Sequence, residues 1–211
     1  RGGMGEVHEA TDLTLRRRVA LKFLSPELTA DRDALERFER EAHSAADLSH
    51  PHIATVHAFE PAGDRPFIAM ELLAGPSLRE LIDAGPIPVA QALAITRDVA
   101  AALAYAHRRG IAHRDIKPEN LMFDEHGMMK VMDFGLARAT MASKLTLTGT
   151  SLGTPAYMSP EAIRGKPTPE GDVFALGLVA WEMLAGRRAY PGDNVMAVMF
   201  ACVMLFVSHE A

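Results

Sequence analysis

Cysteine is almost missing from this 211-residue chain, and the lone Cys202 excludes an internal disulfide framework and any cysteine-rich metal centre. Excess positive charge is missing too. The 22 Lys+Arg against 27 Asp+Glu leave a net charge of -5 with no basic block, the opposite of a surface built for nucleic-acid phosphates, so no nucleic-acid partner is expected. No apolar run reaches the about 20 residues that a membrane-spanning helix needs. The longest, Val195 to Val207, has 13. No basic stretch followed by an apolar core opens the chain, so no signal peptide is visible. Internal repeats and low-complexity segments are also lacking. What remains is globular, 48% hydrophobic and 23% charged, with enough apolar residues for one sizeable core or two modest ones. These absences predict a cytoplasmic segment that makes no membrane contact of its own, with an anchor elsewhere in a parent protein left open.

Gly/Pro clusters divide the chain. Val19 to Leu24 is an apolar run interrupted by Lys22 and closed by Pro26, which predicts a strand. From Asp31, a good N-cap, Leu35, Phe38, Ala42, Ala45 and Leu48 recur at helical spacing, with Glu41 bordering their stripe. Phe67 to Leu73 predicts another strand, ended by Gly75-Pro76, and Ser77 with Glu80 makes a capping box for a short helix. Pro88 starts a helix with Ala92, Ile95, Val99, Leu103 and Ala106 on one face, stopped by Gly110. Val173 to Ala185 is apolar nearly all round, which predicts a helix buried in a core with Gly186 as its stop. Strands therefore gather in the first third and helices afterwards. That segregation suggests two lobes joined near Leu73 to Gly75.

Three groups of residues carry chemistry. Arg1-Gly2-Gly3-Met4-Gly5-Glu6-Val7 is a loop whose backbone amides can approach a phosphate closely, although Gly-Gly by itself is more often a plain turn. Lys22 lies inside a strand and points opposite to Leu21 and Phe23. It is either an edge-strand lysine or a buried ammonium in need of an anion. His113-Arg114-Asp115-Ile116-Lys117-Pro118-Glu119-Asn120 crowds a carboxylate, an ammonium and a carboxamide into one segment, and Asp133-Phe134-Gly135 begins 18 residues after Asp115.

In that order these segments resemble the protein kinase family, specifically its bacterial serine/threonine members of eukaryotic type. Val19-Ala20-Leu21-Lys22 is similar to the family's Val-Ala-Ile-Lys strand, Glu41 to its helix glutamate, and Ser159-Pro160-Glu161 to its Ala-Pro-Glu. Gly2, Gly5 and Val7 fit the end of its Gly-rich loop. The resemblance implies an α+β, two-lobed fold: a small antiparallel-sheet lobe with one helix over residues 1–74, and a larger, mainly helical lobe over 75–211. It implies a catalytic domain incomplete at both ends, since it runs from Arg1 to about Asn194.

The implied activity is transfer of the ATP γ-phosphate to Ser/Thr hydroxyls of proteins, with ATP and Mg2+ as cofactors. The implied roles are specific. Lys22 holds the α/β-phosphates and is held by Glu41. Asn120 and Asp133 ligate Mg2+. Asp115 takes the substrate proton, and Lys117 stabilises the transferred group. Adenine lies between Val7 and Ala20 above and Met122 below, with main-chain bonds from Glu71 and Leu73 and with Met70 at the back of the pocket. Lys117 and the segment Gly153 to Tyr157 follow the serine/threonine pattern, in which Thr154 contacts the catalytic pair. Asp172 is implied to bond the catalytic-loop backbone, and Arg114 to receive an activating phosphate. Thr146 and Thr148 are the implied autophosphorylation sites, which makes a homodimer possible. The competing expectation is a non-catalytic, kinase-like binding module or inactive fragment. His43, His50, His52 and His57 lack a carboxylate partner in sequence and predict no zinc site.

Overall fold

The computed structural model describes residues 6–24, 29, 32–61, 65–134 and 155–190. Four strands form an antiparallel sheet: β1 (Val7–Asp12), β2 (Arg17–Phe23), β3 (Val56–Glu60) and β4 (Phe67–Glu71), in the order β1-β2-β4-β3. The β1–β2 turn is tied by the Asp12 carboxylate, which accepts from the amides of Thr14 and Leu15 at 3.0 Å each. Lys22 stands opposite Val7 on β1 and Ile68 on β4, and Ala20 stands opposite Met70. Partners directly across an antiparallel ladder share a face, so these residues line one side of the sheet. Helix α1 (Arg32–Ala46) covers that side and joins Phe38 and Ala42 to Ala20, Leu24, Ile68 and Met70 in a small core. The expected cap Asp31 lies outside the described residues.

Leaving β4, the chain crosses to the second lobe through Gly75, whose amide donates to Phe123 O at 3.0 Å. A Cβ built here would stand 2.6 Å from that oxygen and 2.9 Å from Asp124 O. Only glycine allows this approach.

The second lobe holds α2 (Leu78–Asp83), α3 (Val89–His107), α4 (Pro160–Ile163) and α5 (Pro169–Ala185). The capping box is present: Ser77 Oγ accepts from the Glu80 amide at 3.2 Å, and the Ser77 amide donates to Glu80 Oε2 at 2.7 Å. The expected stripe on α3 is buried in full, from Ala92 to Ala106, and packs against α5. A two-stranded sheet, β5 (Leu121–Phe123) with β6 (Met129–Val131), was not foreseen, because three-residue strands are too short for an alternating pattern to register.

Helix α5 departs from the expectation of burial on every side. It starts at Pro169 rather than Val173, and Val173, Trp181 and Leu184 are 60%, 49% and 48% exposed. Its buried positions, Asp172, Ala175, Leu176, Val179, Glu182 and Met183, form a single helical stripe toward α3. Apolar composition alone does not report how many neighbours a helix has. Gly186 ends it as expected, with a left-handed φ of 63°.

Two buried carboxylates interrupt the stripe. Glu182 Oε1 accepts from both terminal nitrogens of Arg79 on α2, at 3.0 and 2.8 Å, and Oε2 accepts from the Tyr157 hydroxyl at 2.5 Å. Burial and the Glu182 charge push the Tyr157 phenol well above its usual range, so it stays a donor. Two stability predictions follow from this packing. Gly75→Ala should destabilise the chain by about 1–3 kcal/mol in denaturant unfolding, as overpacking does. Gly177→Ala is the control, because a Cβ there meets nothing within 4 Å. Glu182→Ala should cost about 3 kcal/mol in the same assay, since it removes the buried partner of Arg79 and Tyr157 and leaves the guanidinium only the exposed Asp83.

Candidate active site

Lys22 is the polar intruder on the covered face of the small sheet, 6% exposed, and its ammonium needs an anion within reach. Asp133 supplies it: Lys22 Nζ lies 2.6 Å from Asp133 Oδ2, with side chains 8% and 16% exposed. A residue of the first lobe and one that follows β6 in the second thus meet across the cleft. Burial by itself would raise the Asp133 carboxyl, but the Lys22 charge and hydrogen bond, aided by Lys117, outweigh it. The carboxyl is held below its ordinary range. Glu41 lies on α1, half-buried, one position from the core residue Ala42.

The loop from His113 to Asn120 builds the floor. Asp115 Oδ2 accepts from Lys117 Nζ at 2.6 Å and from Asn120 Nδ2 at 3.0 Å. Asn120 Nδ2 also donates to the Asp115 carbonyl at 2.7 Å, which closes the loop on itself. Both side-chain bonds to the carboxylate fall on Oδ2, which leaves the lone pairs of Oδ1 outside these two bonds. In the same way the Asn120 amide nitrogen is engaged, so its Oδ1 is the atom that a cation would meet.

His113 joins this loop to Asp133. Its Nδ1 accepts from the Asp115 amide at 3.2 Å, so its other nitrogen, Nε2, carries the proton and donates to Met132 O at 2.7 Å. The ring is fully buried and meets Phe134 edge-on, with centroids 4.8 Å apart. The Met132 amide donates to Asn120 O at 2.9 Å. Asp115, Asn120 and Asp133 are therefore locked to one another through short bonds.

Asp172 holds the loop from below, as the resemblance implied. Its oxygens accept from the amides of His113 at 2.8 Å and Arg114 at 2.7 Å, and His107 Nε2 lies 2.8 Å away. Among the described residues only Arg16, Arg114 and Asp133 combine a side chain with a positive φ, and the last two flank this site, at 68° and 60°. Such backbone persists where the surroundings over-determine it.

Of the expected nucleotide residues, Val7, Ala20 and Met70 share the Lys22 face of the sheet, Glu71 and Leu73 lie at and beyond the end of β4, and Met122 is on β5. Ala20, Met70 and Leu73 are buried, Glu71 and Met122 are half-buried, and Val7 is 61% exposed at the sheet edge beside Lys22. The Glu71 amide donates to Thr55 O at 2.8 Å, so an adenine contact at Glu71 falls to its carbonyl. Gly2, Gly5, Thr146, Thr148 and Thr154 lie outside the described residues.

Sequence reasoning missed three features: the role of His113, the Arg79–Glu182–Tyr157 network, and Lys130, whose ammonium lies 2.8 Å from Glu71 Oε1. Lys130 did leave a signal, a lone charge in the apolar run Met129-Lys130-Val131. Among the described residues no three His, Cys, Asp or Glu side chains gather as a metal site, and no helix is long and apolar enough to cross a membrane.

Comparison with known proteins agrees with this geometry. The family model described as "Protein kinase domain" matches residues 1–208. The chain is 40% identical to the serine/threonine-protein kinase PknL of Mycobacterium tuberculosis over 201 residues, which is 94% of this chain and 50% of PknL. It is 43% identical over 206 residues to PknB of Mycobacterium leprae, covering 94% of this chain and 33% of PknB. To PrkC of Bacillus subtilis it is 40% identical over 199 residues, 93% of this chain and 31% of PrkC. The chain thus spans half the length of PknL and about a third of the other two. With a buried lysine paired across a cleft to an aspartate, a closed Asp-Lys-Asn loop beside them, and a match along nearly its whole length, this chain belongs to the protein kinase domain family.

Proposed function

We propose that this chain is the catalytic domain of a serine/threonine protein kinase, dividing at Ala74/Gly75 into a nucleotide-binding lobe and a catalytic lobe. One observation carries the reading: Lys22 of one lobe pairs with Asp133 of the other, and His113 ties the Met132 carbonyl, one residue before Asp133, to the loop that holds Asp115 and Asn120. The identity to named serine/threonine kinases and the Asp115-Ile-Lys117 pattern favour Ser/Thr hydroxyls over tyrosine.

Phosphoryl transfer asks the protein for positioning and charge neutralisation rather than covalent chemistry. The substrate hydroxyl oxygen bonds to the γ-phosphorus as the bond to the bridging oxygen of ADP breaks, and the hydroxyl proton passes to Asp115. Lys117 and Asn120 hold Asp115 Oδ2, so that Oδ1 meets that proton. Lys22 exchanges part of its contact with Asp133 for the α/β-phosphates, and Glu41 steadies it. Adenine is read by the Glu71 carbonyl and the Leu73 main chain, between Val7 and Ala20 above and Met122 below, with Met70 behind.

The donor set suits Mg2+. One carboxylate, Asp133, and one amide oxygen, from Asn120, are what a hard ion takes when phosphates and waters complete its shell. Such an ion, when bound, neutralises charge on the phosphate oxygens. Gly2 and Gly5 would cover the phosphates, Thr154 would touch Asp115 and Lys117, and Thr146 and Thr148 would be phosphorylated by a second copy of the chain. A cytoplasmic setting, where ATP and protein substrates are plentiful, fits the reading.

The test is transfer of radiolabelled phosphate from ATP to a generic protein substrate and to the chain itself. Asp115→Ala should lower the rate by at least about 100-fold while calorimetric ATP binding is kept, because positioning and proton transfer are lost and affinity is not. Asp133→Asn should lower both rate and metal-dependent nucleotide affinity. Phosphate incorporation that Asp115→Ala leaves unchanged overturns the assignment. ATP binding with no transfer in any variant would favour a non-catalytic nucleotide-binding module.

A further inference from the structure

Met129 and Val131 of β6 point into the core, 2% and 0% exposed, so the alternation of a strand turns Lys130 the other way. Its ammonium does not go to water. Lys130 Nζ meets Glu71 Oε1 at 2.8 Å, with side chains 11% and 25% exposed, and so reaches from the second lobe to the last residue of β4 in the first. Glu71 Oε2 accepts from the Thr55 amide at 3.0 Å, and the Glu71 amide donates to Thr55 O at 2.8 Å. Glu71 is thus held by main chain on one side and by an ammonium on the other.

The backbone of β6 reinforces this. The Val131 amide donates to His52 O, and the Ala54 amide donates to Val131 O, both at 2.9 Å. His52 Nδ1 lies 2.9 Å from Met129 O. Residues 52–55, 71 and 129–131 therefore form one bonded unit behind the cleft, at the place where the chain passes between lobes. Leu73 and Gly75 come two and four residues after Glu71, and Asp133 comes three after Lys130.

We propose that Lys130 is a positioning residue for nucleotide binding: through Glu71 it fixes the strand end whose main chain reads the base, and it fixes that strand end relative to Asp133. The inference rests on the reading above, in which Glu71 and Leu73 meet adenine. A partly buried ion pair at such a joint contributes orientation more than raw stability, because only a narrow range of backbone positions lets a base and a metal-bound phosphate be held together.

Full-chain protein carrying Lys130→Met, Lys130→Arg or Glu71→Gln is compared with the unmodified chain by thermal melting, calorimetric MgATP titration and steady-state kinetics. Loss of the pair should weaken MgATP binding and raise KM for ATP about fivefold, with kcat changed less than about twofold, as expected when ground-state positioning is lost. Lys130→Arg should restore both to near the unmodified values. Glu71→Gln keeps the main chain and the Thr55 bond, so it tests the pair should Lys130→Met fail to fold. Unchanged ATP affinity in folded Lys130→Met and Glu71→Gln overturns the proposal while leaving the kinase reading intact. A rise in kcat at constant KM also overturns it, because the pair would then restrain closure rather than place the base. No MgATP binding by the unmodified chain would instead overturn the nucleotide reading itself.

Discussion

An ammonium inside a protein is tolerated only where an anion meets it, and the small sheet places one on its covered face. Lys22 is flanked by Ala20 on β2 and faced by Ile68, with α1 closing over the same side, and these apolar neighbours offset none of the charge. The bond to Asp133 supplies the compensation, and it comes from the other lobe. The placement of the two halves around the cleft is thereby tied to an electrostatic requirement rather than to apolar contact alone. His113 then links the Met132 carbonyl, one residue before Asp133, to the Asp115 amide through two bonds on one neutral ring. A shift at any member of this set is felt by the others.

Helix α5 shows the same logic in the second lobe. It buries two carboxylates, Asp172 and Glu182, and each is spent on a different neighbour. Asp172 takes two backbone amides at the start of the catalytic loop, and Glu182 takes a guanidinium and a phenol. Full pairing is what makes such burial tolerable, since a half-satisfied carboxylate would cost more than an apolar side chain of similar size. The helix therefore packs the core with one set of residues while it fixes the loops with another.

Local signals were legible in the sequence and non-local ones were not. The Ser77–Glu80 box, the α3 stripe and the Gly186 stop are written within a few residues, and each is found where expected. The chemistry-bearing residues were legible as types and spacing, and the structure pairs Lys22 with Asp133 and Asp115 with Lys117 and Asn120. The extent of α5 burial was not legible, because it depends on which elements lie alongside. Strand β1 escaped notice since its residues, Val7 to Asp12, are mostly polar and exposed. The Arg79–Glu182 pair spans 103 residues, and no local pattern announces a partner at that distance.

That separation bears on how the molecule comes into being. Lys22 leaves the ribosome well before Asp133 exists, and Arg79 well before Glu182. At about 5–20 residues per second, Lys22 is made several seconds before the Asp133 carboxylate that meets it from the other lobe. The two halves of each long-range pair are thus synthesised seconds apart, and translation speed over the residues between them sets how long the earlier half waits for that contact.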